Sequence, residues 1–292
     1  MNKPIRKAAV IGSGIMGSGI AAQLANAGIS CLLLDIVPQR LSDEEMAAGL
    51  TLDHPSVRNR LAMSAIAGLS KTKPAPLYDN AFAERITPGN LEDHLHQIAD
   101  VDWVIEVVVE NLAIKQQLLA QVERHWKPGI IVSSNTSGIS INAMVEGRSE
   151  EFRKSFLGTH FFNPPRYMKL LEIIPGQTTD PELVQSLSRF CEQKLGKTVV
   201  LAKDTPNFIA NRIGTYGLLV TLREMAEKGY TVEEVDAVTG PAMGRPKSAT
   251  FRTLDLVGLD TFLHVADNVY ANVSDEAEKQ VFAAPASLKD MV

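Results

Sequence analysis

A base, an amide and a carboxylate occur close together in the sequence, as His160, Asn163 and Glu172. Histidine can accept and return a proton near neutral pH, because its unperturbed pKa is about 6.5. A carboxylate can hold one imidazole nitrogen and stabilise the imidazolium that forms, as in the base-and-orienter pairs of hydrolytic enzymes. These residue types therefore indicate proton transfer centred on His160. On the residues alone, a structural histidine bonded within the core is an equally good interpretation.

The elements that would position His160 are two short apolar segments. Residues 155–160 and 170–174 have the composition of strands, and two consecutive prolines lie in the turn between them. If His160 ends one strand and Glu172 lies on its neighbour, their sequence separation can close to contact. The sequence thus predicts that the base and the acid meet.

A second candidate site is a glycine motif near the N-terminus, Gly12-Ser-Gly14-Ile-Met-Gly17. The apolar residues 7–11 before it predict a buried strand, and the small residues after it predict a helix packed closely on a sheet. Gly12 would permit a tight turn, Gly14 would let the backbone approach a pyrophosphate, and Gly17 would let the helix pack on the strand. The helix N-terminus would then bind the phosphates.

Asp35 follows a second apolar run, residues 31–34, and lies 18 residues beyond Gly17. A carboxylate at this position would accept a hydrogen bond from an adenosine ribose hydroxyl and would repel a 2'-phosphate. The strand-helix-strand unit therefore predicts a dinucleotide site that prefers NAD to NADP. The alternative, a glycine turn and a capping aspartate, stays open.

Strands and helices continue to alternate further along the chain. Residues 102–110 and 130–134 are typical of buried strands, with a helix predicted over 112–126 between them. This alternation predicts an α/β fold with a doubly wound, mostly parallel sheet, in which ligands lie beyond the carboxyl ends of the strands. Glu110 and Ser137 fall at such ends, where a nicotinamide and its substrate should meet. A helix-capping acid and a turn serine are equally good interpretations of these two residues.

The chain is long enough for two domains. It has 292 residues, of which 45% are hydrophobic and 22% charged, an ordinary globular composition. After Lys203 the alternation gives way to long helical segments. We therefore predict a Rossmann-type NAD-binding domain over 1–203 and a smaller all-helical domain over 204–292.

Charge and cysteine content argue against several classes of function. A net charge of −5 argues against a nucleic-acid surface, which needs clustered, uncompensated Lys and Arg. Cys31 and Cys191 have no metal-ligand spacing and fit a reducing compartment. No apolar run approaches the roughly 20 residues that span a bilayer. We expect a cytoplasmic protein that acts on small molecules, without a metal, a membrane span or nucleic acid.

Seven motifs occur in a fixed order between about residue 10 and residue 260. They are Gly12-Ser-Gly-Ile-Met-Gly17, Val109-Glu-Asn-Leu-Ala-Ile-Lys115, Ser134-Asn-Thr-Ser137, His160-Phe-Phe-Asn-Pro164, Lys203-Asp-Thr-Pro206, Phe208-Ile-Ala-Asn-Arg212 and Gly258-Leu-Asp260. Together they resemble the motifs of the L-3-hydroxyacyl-CoA dehydrogenases of fatty-acid β-oxidation. The resemblance implies an enzyme that oxidises L-3-hydroxyacyl-CoA to 3-oxoacyl-CoA with NAD as cofactor.

The resemblance also implies roles for single residues. His160 matches the catalytic base, and Glu172 matches its partner carboxylate. Ser137 and Asn211 match groups that hold the 3-oxygen and the thioester end of the substrate. Cofactor-side positions are matched by Gly12, Gly14, Met16, Gly17, Asp35, Glu110, Lys115, Ser137 and Asn163.

The chain departs from the family pattern at two places. Extra residues after Gly244 look like the branch in which a dehydrogenase precedes an enoyl-CoA hydratase on one polypeptide. Residues 285–292 resemble the lead-in to a family segment that is absent, so a truncated helical domain is expected. The resemblance further implies that the helical domain contributes to substrate binding and forms a homodimer. Two rival functions stay open: an NAD-dependent dehydrogenase of a free hydroxy acid, and a non-catalytic NAD-binding or structural relative.

Overall fold

The computed structural model describes residues 4–273, 275–285 and 288. Its contacts divide the chain into two compact units, Met1–Asp204 and Thr205–Val292. The first unit is a mostly parallel sheet with helices, and the second is helical, which confirms the predicted fold class. The segment 285–292, on which the expected truncation rests, lies mostly outside the described residues.

One eight-stranded sheet forms the centre of the first unit, with the strand order β3-β2-β1-β4-β5-β6-β7-β8. The strands are β1 Lys7–Ile11, β2 Ser30–Asp35, β3 Ile86–Asn90, β4 Trp103–Glu106, β5 Ile131–Ser134, β6 Phe156–Phe161, β7 Leu170–Pro175 and β8 Thr198–Leu201. Neighbours from β3 to β6 are parallel, β7 is antiparallel to β6, and β8 is parallel to β7. The first six strands thus have the order of a dinucleotide-binding sheet.

In the part of this unit that the structure describes, nine α-helices connect the strands. They are α1 Ile15–Asn26, α2 Asp43–Ala47, α3 Pro55–Arg58, α4 Arg60–Leu69, α5 Leu91–His94, α6 Leu112–His125, α7 Ile141–Met144, α8 Glu150–Lys154 and α9 Pro181–Gln193, with 3-10 helices at Asn80–Arg85 and Leu95–Asp100. The small residues of α1 are buried, among them Gly17, Ala21 and Ala25, so this helix lies close to the sheet. That close packing places the start of α1 against the end of β1.

The edge strand β3 was not predicted from the sequence. Pro88 and Gly89 interrupt its five residues, and both types are depleted in strands. An edge strand tolerates them because one side of it has no hydrogen-bonding neighbour.

The second unit is built from helices around its own apolar core. It contains α10 Ala210–Lys228, α11 Val232–Thr239, α12 Phe251–Val257, α13 Leu259–Asn272 and α14 Glu276–Val281, with a 3-10 helix at Pro241–Met243. Helices α12 and α13 are separated at Gly258, whose φ of 91° no ordinary helical residue adopts. Leu254, Phe262 and Phe282 are buried between these helices.

Candidate active site

The glycine loop joins β1 to α1 at the carboxyl edge of the sheet. Gly12 has a φ of 103°, and a Cβ atom there would lie 2.5 Å from the carbonyl oxygen of Val107. A Cβ atom on Gly17 would lie 1.8 Å from the carbonyl oxygen of Gly12. Glycine at both positions therefore lets the chain turn after β1 and lets α1 pack directly on that turn.

The N-terminus of α1 has space for a ligand. Gly14 is its N-cap residue, and within the described part of the chain no side chain caps the helix there. A Cβ atom built on Gly14 would find no heavy atom within 4 Å. The first N–H groups of a helix have no partners inside the helix, and with the helix dipole they favour anions. This cradle fits a pyrophosphate, and Met16 packs half-buried beside it.

Asp35 ends β2 beside the glycine loop. Its Oδ2 accepts hydrogen bonds from the backbone N–H of Ser13, at 2.7 Å, and from the hydroxyl of the same serine. Its Oδ1 accepts from the N–H of Ile36 at 2.7 Å. The carboxylate is thus held next to the loop that would carry the phosphates, which is where a ribose acid is needed. Together these residues fit the adenosine half of NAD.

The strand order reverses between β1 and β4. The chain leaves β1 for β2 and β3 on one side and returns to β4 on the other side of β1. The N–H of Val107, just after β4, donates to the carbonyl oxygen of Ile11 at 2.8 Å, so the two strand ends lie together. Open parallel sheets bind ligands in the crevice at such a reversal.

Glu110 lies in the segment after β4 and contacts the segment after β5. Its Oε1 accepts the hydroxyl of Thr136 at 2.5 Å and the backbone N–H of Ser137 at 2.9 Å. The backbone of Ser137 is therefore fixed, whereas its half-buried hydroxyl has no hydrogen-bond partner among the described residues. Two of the residues expected at the cofactor are thus brought together.

Lys115 is buried on α6 and faces the protein interior. Its side chain is 1% exposed, and Nζ lies 2.8 Å from Oε1 of Glu106 and 3.3 Å from Oε2 of Glu110. Sequence reasoning missed Glu106, the last residue of β4, because it falls within an otherwise apolar strand. The sequence signal that could have identified Glu106 is a single carboxylate inside an apolar run, and the structure shows that this position is fully buried.

His160 and Glu172 are paired directly across the antiparallel strands β6 and β7. The imidazole Nδ1 lies 2.8 Å from Oε2 of the carboxylate, and both side chains are buried. An ionised carboxylate only accepts hydrogen bonds, so with Glu172 ionised Nδ1 is the donor, and the tautomer that fits this contact leaves Nε2 without a proton. The ring of Phe162 lies against the imidazole, with the centroids 4.4 Å apart. The predicted contact is present.

The connection between β6 and β7 is held by Lys197. Its ammonium donates to the carbonyl oxygens of Pro165 and, at 2.7 Å, of Met168. Burial lowers the pKa of Lys197 to about 8. On its other side the connection touches α1, since a Cβ atom on Gly19 would lie 3.0 Å from Pro165. Asn163 is exposed in this connection, two residues after β6.

Asn211 belongs to the second unit, where it lies half-buried in the first turn of α10. The other site residues that the sequence indicated all lie in the first unit. The expectation that Asn211 holds the substrate therefore stays a prediction.

Within the ranges that the structure describes, no group of three His, Cys, Asp or Glu side chains could hold a metal ion. None of the helices within those ranges combines the length and apolar character needed to cross a membrane. Burial raises the pKa of the Cys31 thiol to about 12 and also raises that of Cys191, so neither is a ready nucleophile.

Two family models together match most of the chain. Residues 7–205 match the model described as "3-hydroxyacyl-CoA dehydrogenase, NAD binding domain". Residues 208–292 match the model described as "3-hydroxyacyl-CoA dehydrogenase, C-terminal domain". The first match agrees with the glycine loop and Asp35 and supports NAD as the cofactor.

Curated relatives agree with these matches. A probable 3-hydroxyacyl-CoA dehydrogenase of Bacillus subtilis is 62% identical over 100% of this chain and 37% of its own length. One of Deinococcus radiodurans, with the same description, is 49% identical over 99% of this chain and 78% of its length. A putative fatty acid oxidation complex trifunctional enzyme of Rickettsia felis is 36% identical over 100% of this chain and 39% of its length. The chain thus spans well under half of the Bacillus and Rickettsia proteins.

A solved structure has the same fold. The crystal structure of FadB2 from M. tuberculosis superposes with a TM-score of 0.78 at 29% identity. The alignment covers 99% of this chain and 94% of that chain.

Proposed function

The chain belongs to the 3-hydroxyacyl-CoA dehydrogenase family, and we propose that it catalyses the NAD-dependent oxidation of L-3-hydroxyacyl-CoA to 3-oxoacyl-CoA. The observation that carries this proposal is the contact of 2.8 Å between His160 Nδ1 and Glu172 Oε2. The pair lies near the carboxyl end of β6, at the edge of the sheet where the glycine loop follows β1. A base and a cofactor cradle at one edge are what alcohol oxidation needs.

The reaction would proceed by loss of a proton and a hydride from the substrate. His160 Nε2 would remove the proton of the 3-hydroxyl, a step for which general-base catalysis typically contributes about 100- to 10,000-fold. Glu172 would hold the ring through Nδ1 and stabilise the imidazolium that forms. When bound, NAD supplies the acceptor for the hydride from C3.

Two further residues would hold the substrate. The hydroxyl of Ser137 would donate to the 3-oxygen, which is supported by its fixed backbone and its free hydroxyl in the described part of the chain. For Asn211, the proposed contact with the thioester end rests on the family resemblance. Asn163, Glu110 and Met16 would lie on the cofactor side for the same reason.

The experiment that tests the function compares thioesters with free acids. Purified protein should oxidise NADH with acetoacetyl-CoA, followed by the fall in NADH absorbance, and should leave free acetoacetate unreduced. Faster turnover of the free acid would contradict the proposal and favour a hydroxy-acid dehydrogenase. Binding of NAD without turnover of either compound would favour a non-catalytic relative.

The activity would belong to a larger β-oxidation protein in the cytoplasm. The relative from Rickettsia felis, named a trifunctional enzyme of a fatty acid oxidation complex, supports a fused enoyl-CoA hydratase in the natural polypeptide. That polypeptide should then hydrate 2-enoyl-CoA as well as oxidise the product. An absence of hydratase activity would contradict the fusion.

A homodimer formed through the second unit is the remaining part of the proposal. Large apolar side chains are exposed on its helices, with Ile213 at 68% and Tyr216 at 47% on α10. Apolar surface of this kind often marks a contact with another protein. Sedimentation velocity should detect a dimer that Ile213→Glu weakens, whereas a wild-type monomer at micromolar concentration would contradict it.

A further inference from the structure

Glu106 is an ionisable residue at a fully buried position of an otherwise apolar strand. It ends β4, whose other residues are Trp103, Val104 and Ile105, and its exposed fraction is 0%. Burying a carboxylate costs free energy unless charged and hydrogen-bonded partners compensate it. The partners of Glu106 therefore decide whether its burial is tolerated.

The partners of Glu106 come from three neighbouring segments. Nζ of Lys115 on α6 donates to Oε1 at 2.8 Å and to Oε2 at 3.0 Å. The N–H of Val108 donates to Oε1 at 2.7 Å, and the hydroxyl of Ser134, at the end of β5, donates to Oε2 at 2.5 Å. The carboxylate is therefore fully bonded at the junction of β4, β5 and α6.

The ammonium of Lys115 also contacts a second carboxylate, that of Glu110. Its Nζ lies 3.3 Å from Oε2 of Glu110 and 3.3 Å from the carbonyl oxygen of Val108. Glu110 in turn accepts the hydroxyl of Thr136 and the N–H of Ser137. The Glu106–Lys115–Glu110 triplet thus connects the buried end of β4 to the backbone of a residue at the candidate substrate site.

We propose that Glu106 is a positioning residue, which acts through Lys115 and Glu110 to fix the backbone of Ser137. This inference rests on the proposed function for its catalytic consequence, but its structural part stands without it. If Glu106 loses its charge, Glu110 is the one charged partner that the buried ammonium keeps among the described residues. It should then move toward Glu110 and draw that carboxylate away from the N–H of Ser137.

A merely structural role for the triplet predicts something different. Loss of a buried ion pair would lower the stability of the whole unit, and the amides around it would become less protected together. A positioning role predicts a local effect at Ser137. The amide of Gly176 is a suitable reference, because it donates to Oγ1 of Thr179 at 2.8 Å and neither residue is hydrogen-bonded to the triplet.

The test is hydrogen exchange at single amides in the full chain, with Glu106→Gln beside wild type. The Ser137 amide should exchange about tenfold faster or more in the variant, since a hydrogen bond to a charged group is lost. The Gly176 amide should be unchanged. Equal exchange of Ser137 in both proteins, or equal acceleration at Gly176, would overturn the inference whether or not the protein is active.

Steady-state kinetics of wild type and Glu106→Gln test the catalytic consequence. Glu106→Gln should lower kcat with acetoacetyl-CoA by about tenfold. In a Ser137→Ala background the same change should cost much less, because both substitutions act on one interaction. Equal losses in both backgrounds would contradict the coupling. A wild-type protein without turnover, but with faster Ser137 exchange in the variant, would overturn the proposed function alone.

If Glu106→Gln does not fold, Glu110→Gln provides the second variant. It removes the charge from the group that accepts the N–H of Ser137 and leaves the Glu106–Lys115 ion pair in place. The Ser137 amide should again exchange faster, by a smaller factor. An unchanged rate would show that Glu110 does not fix this backbone.

Discussion

The imidazole of His160 and the carboxylate of Glu172 lie 2.8 Å apart because they are directly opposite residues of one antiparallel strand pair. The register of β6 and β7, and not a flexible loop, therefore sets the distance. Side chains opposite each other on two such strands lie on the same face of the sheet. Both groups are buried, so the bond is protected from competition by water.

Replacement of His160 by alanine should abolish turnover and leave cofactor binding intact. The loss should be at least about 100-fold, the lower range for general-base catalysis. The rate is measured by NADH absorbance with acetoacetyl-CoA, and binding by titration with NADH. His96→Ala is the control, because His96 is exposed in the 3-10 helix after α5. Retained activity in the His160 variant would remove its role as the base.

Replacement of Glu172 by glutamine should cost less than the loss of the base. Glutamine keeps the shape of the side chain and can still accept from Nδ1, but it cannot stabilise the imidazolium by charge. An interaction with a charged partner contributes roughly 1.5–3 kcal/mol, so kcat should fall by roughly 10- to 150-fold. The pH–rate profile should also change. An identical profile with full activity would show that the carboxylate only supports the fold.

Most of the sheet and the His160–Glu172 contact could be predicted from the sequence. Buried parallel strands are continuous apolar runs, and a hairpin with a turn of known position leaves few possible registers. The edge strand β3 could not be predicted, because Pro88 and Gly89 remove its apolar pattern. Hydrogen bonds to its neighbour β2 stabilise β3 as a strand, although its own residues do not favour that conformation.

The inner part of the site could not be predicted for a different reason. Glu106 looks like one polar residue in an apolar strand, and only the fold places the ammonium of Lys115, nine positions later, against it. The family resemblance implies a cofactor-side position for Lys115, which stays a prediction, and the structure adds that its ammonium contacts Glu106 and Glu110. Contacts between a strand end and a helix depend on three-dimensional packing, which spacing alone does not give.

The glycine loop offers a matched pair of substitutions. Gly14→Ala adds a Cβ atom to open space, so the fold should keep its stability within about 0.5 kcal/mol, while the affinity for NADH falls about tenfold or more. Gly17→Ala adds a Cβ atom 1.8 Å from the Gly12 carbonyl oxygen and should destabilise the fold itself. Thermal denaturation and NADH titration separate the two effects. Unchanged affinity in Gly14→Ala would place the pyrophosphate elsewhere.

The stability of the first unit should depend on pH through Lys197. Burial lowers the pKa of this lysine from 10.5 to about 8 in the folded protein. Between these two pH values the unfolded chain holds the proton and the folded protein does not. The free energy of unfolding contributed by this group therefore rises as pH increases from about 8 toward 10.5.

Lys197→Met should remove that contribution. The free energy of unfolding of wild type minus that of the variant, measured by urea denaturation, should increase steadily between about pH 7.5 and pH 9.5. Lys194→Met is the control, because Lys194 is exposed just after α9, and its difference from wild type should stay constant. A constant difference for Lys197→Met as well would mean that the carbonyl oxygens of Pro165 and Met168 keep the ammonium charged throughout this range.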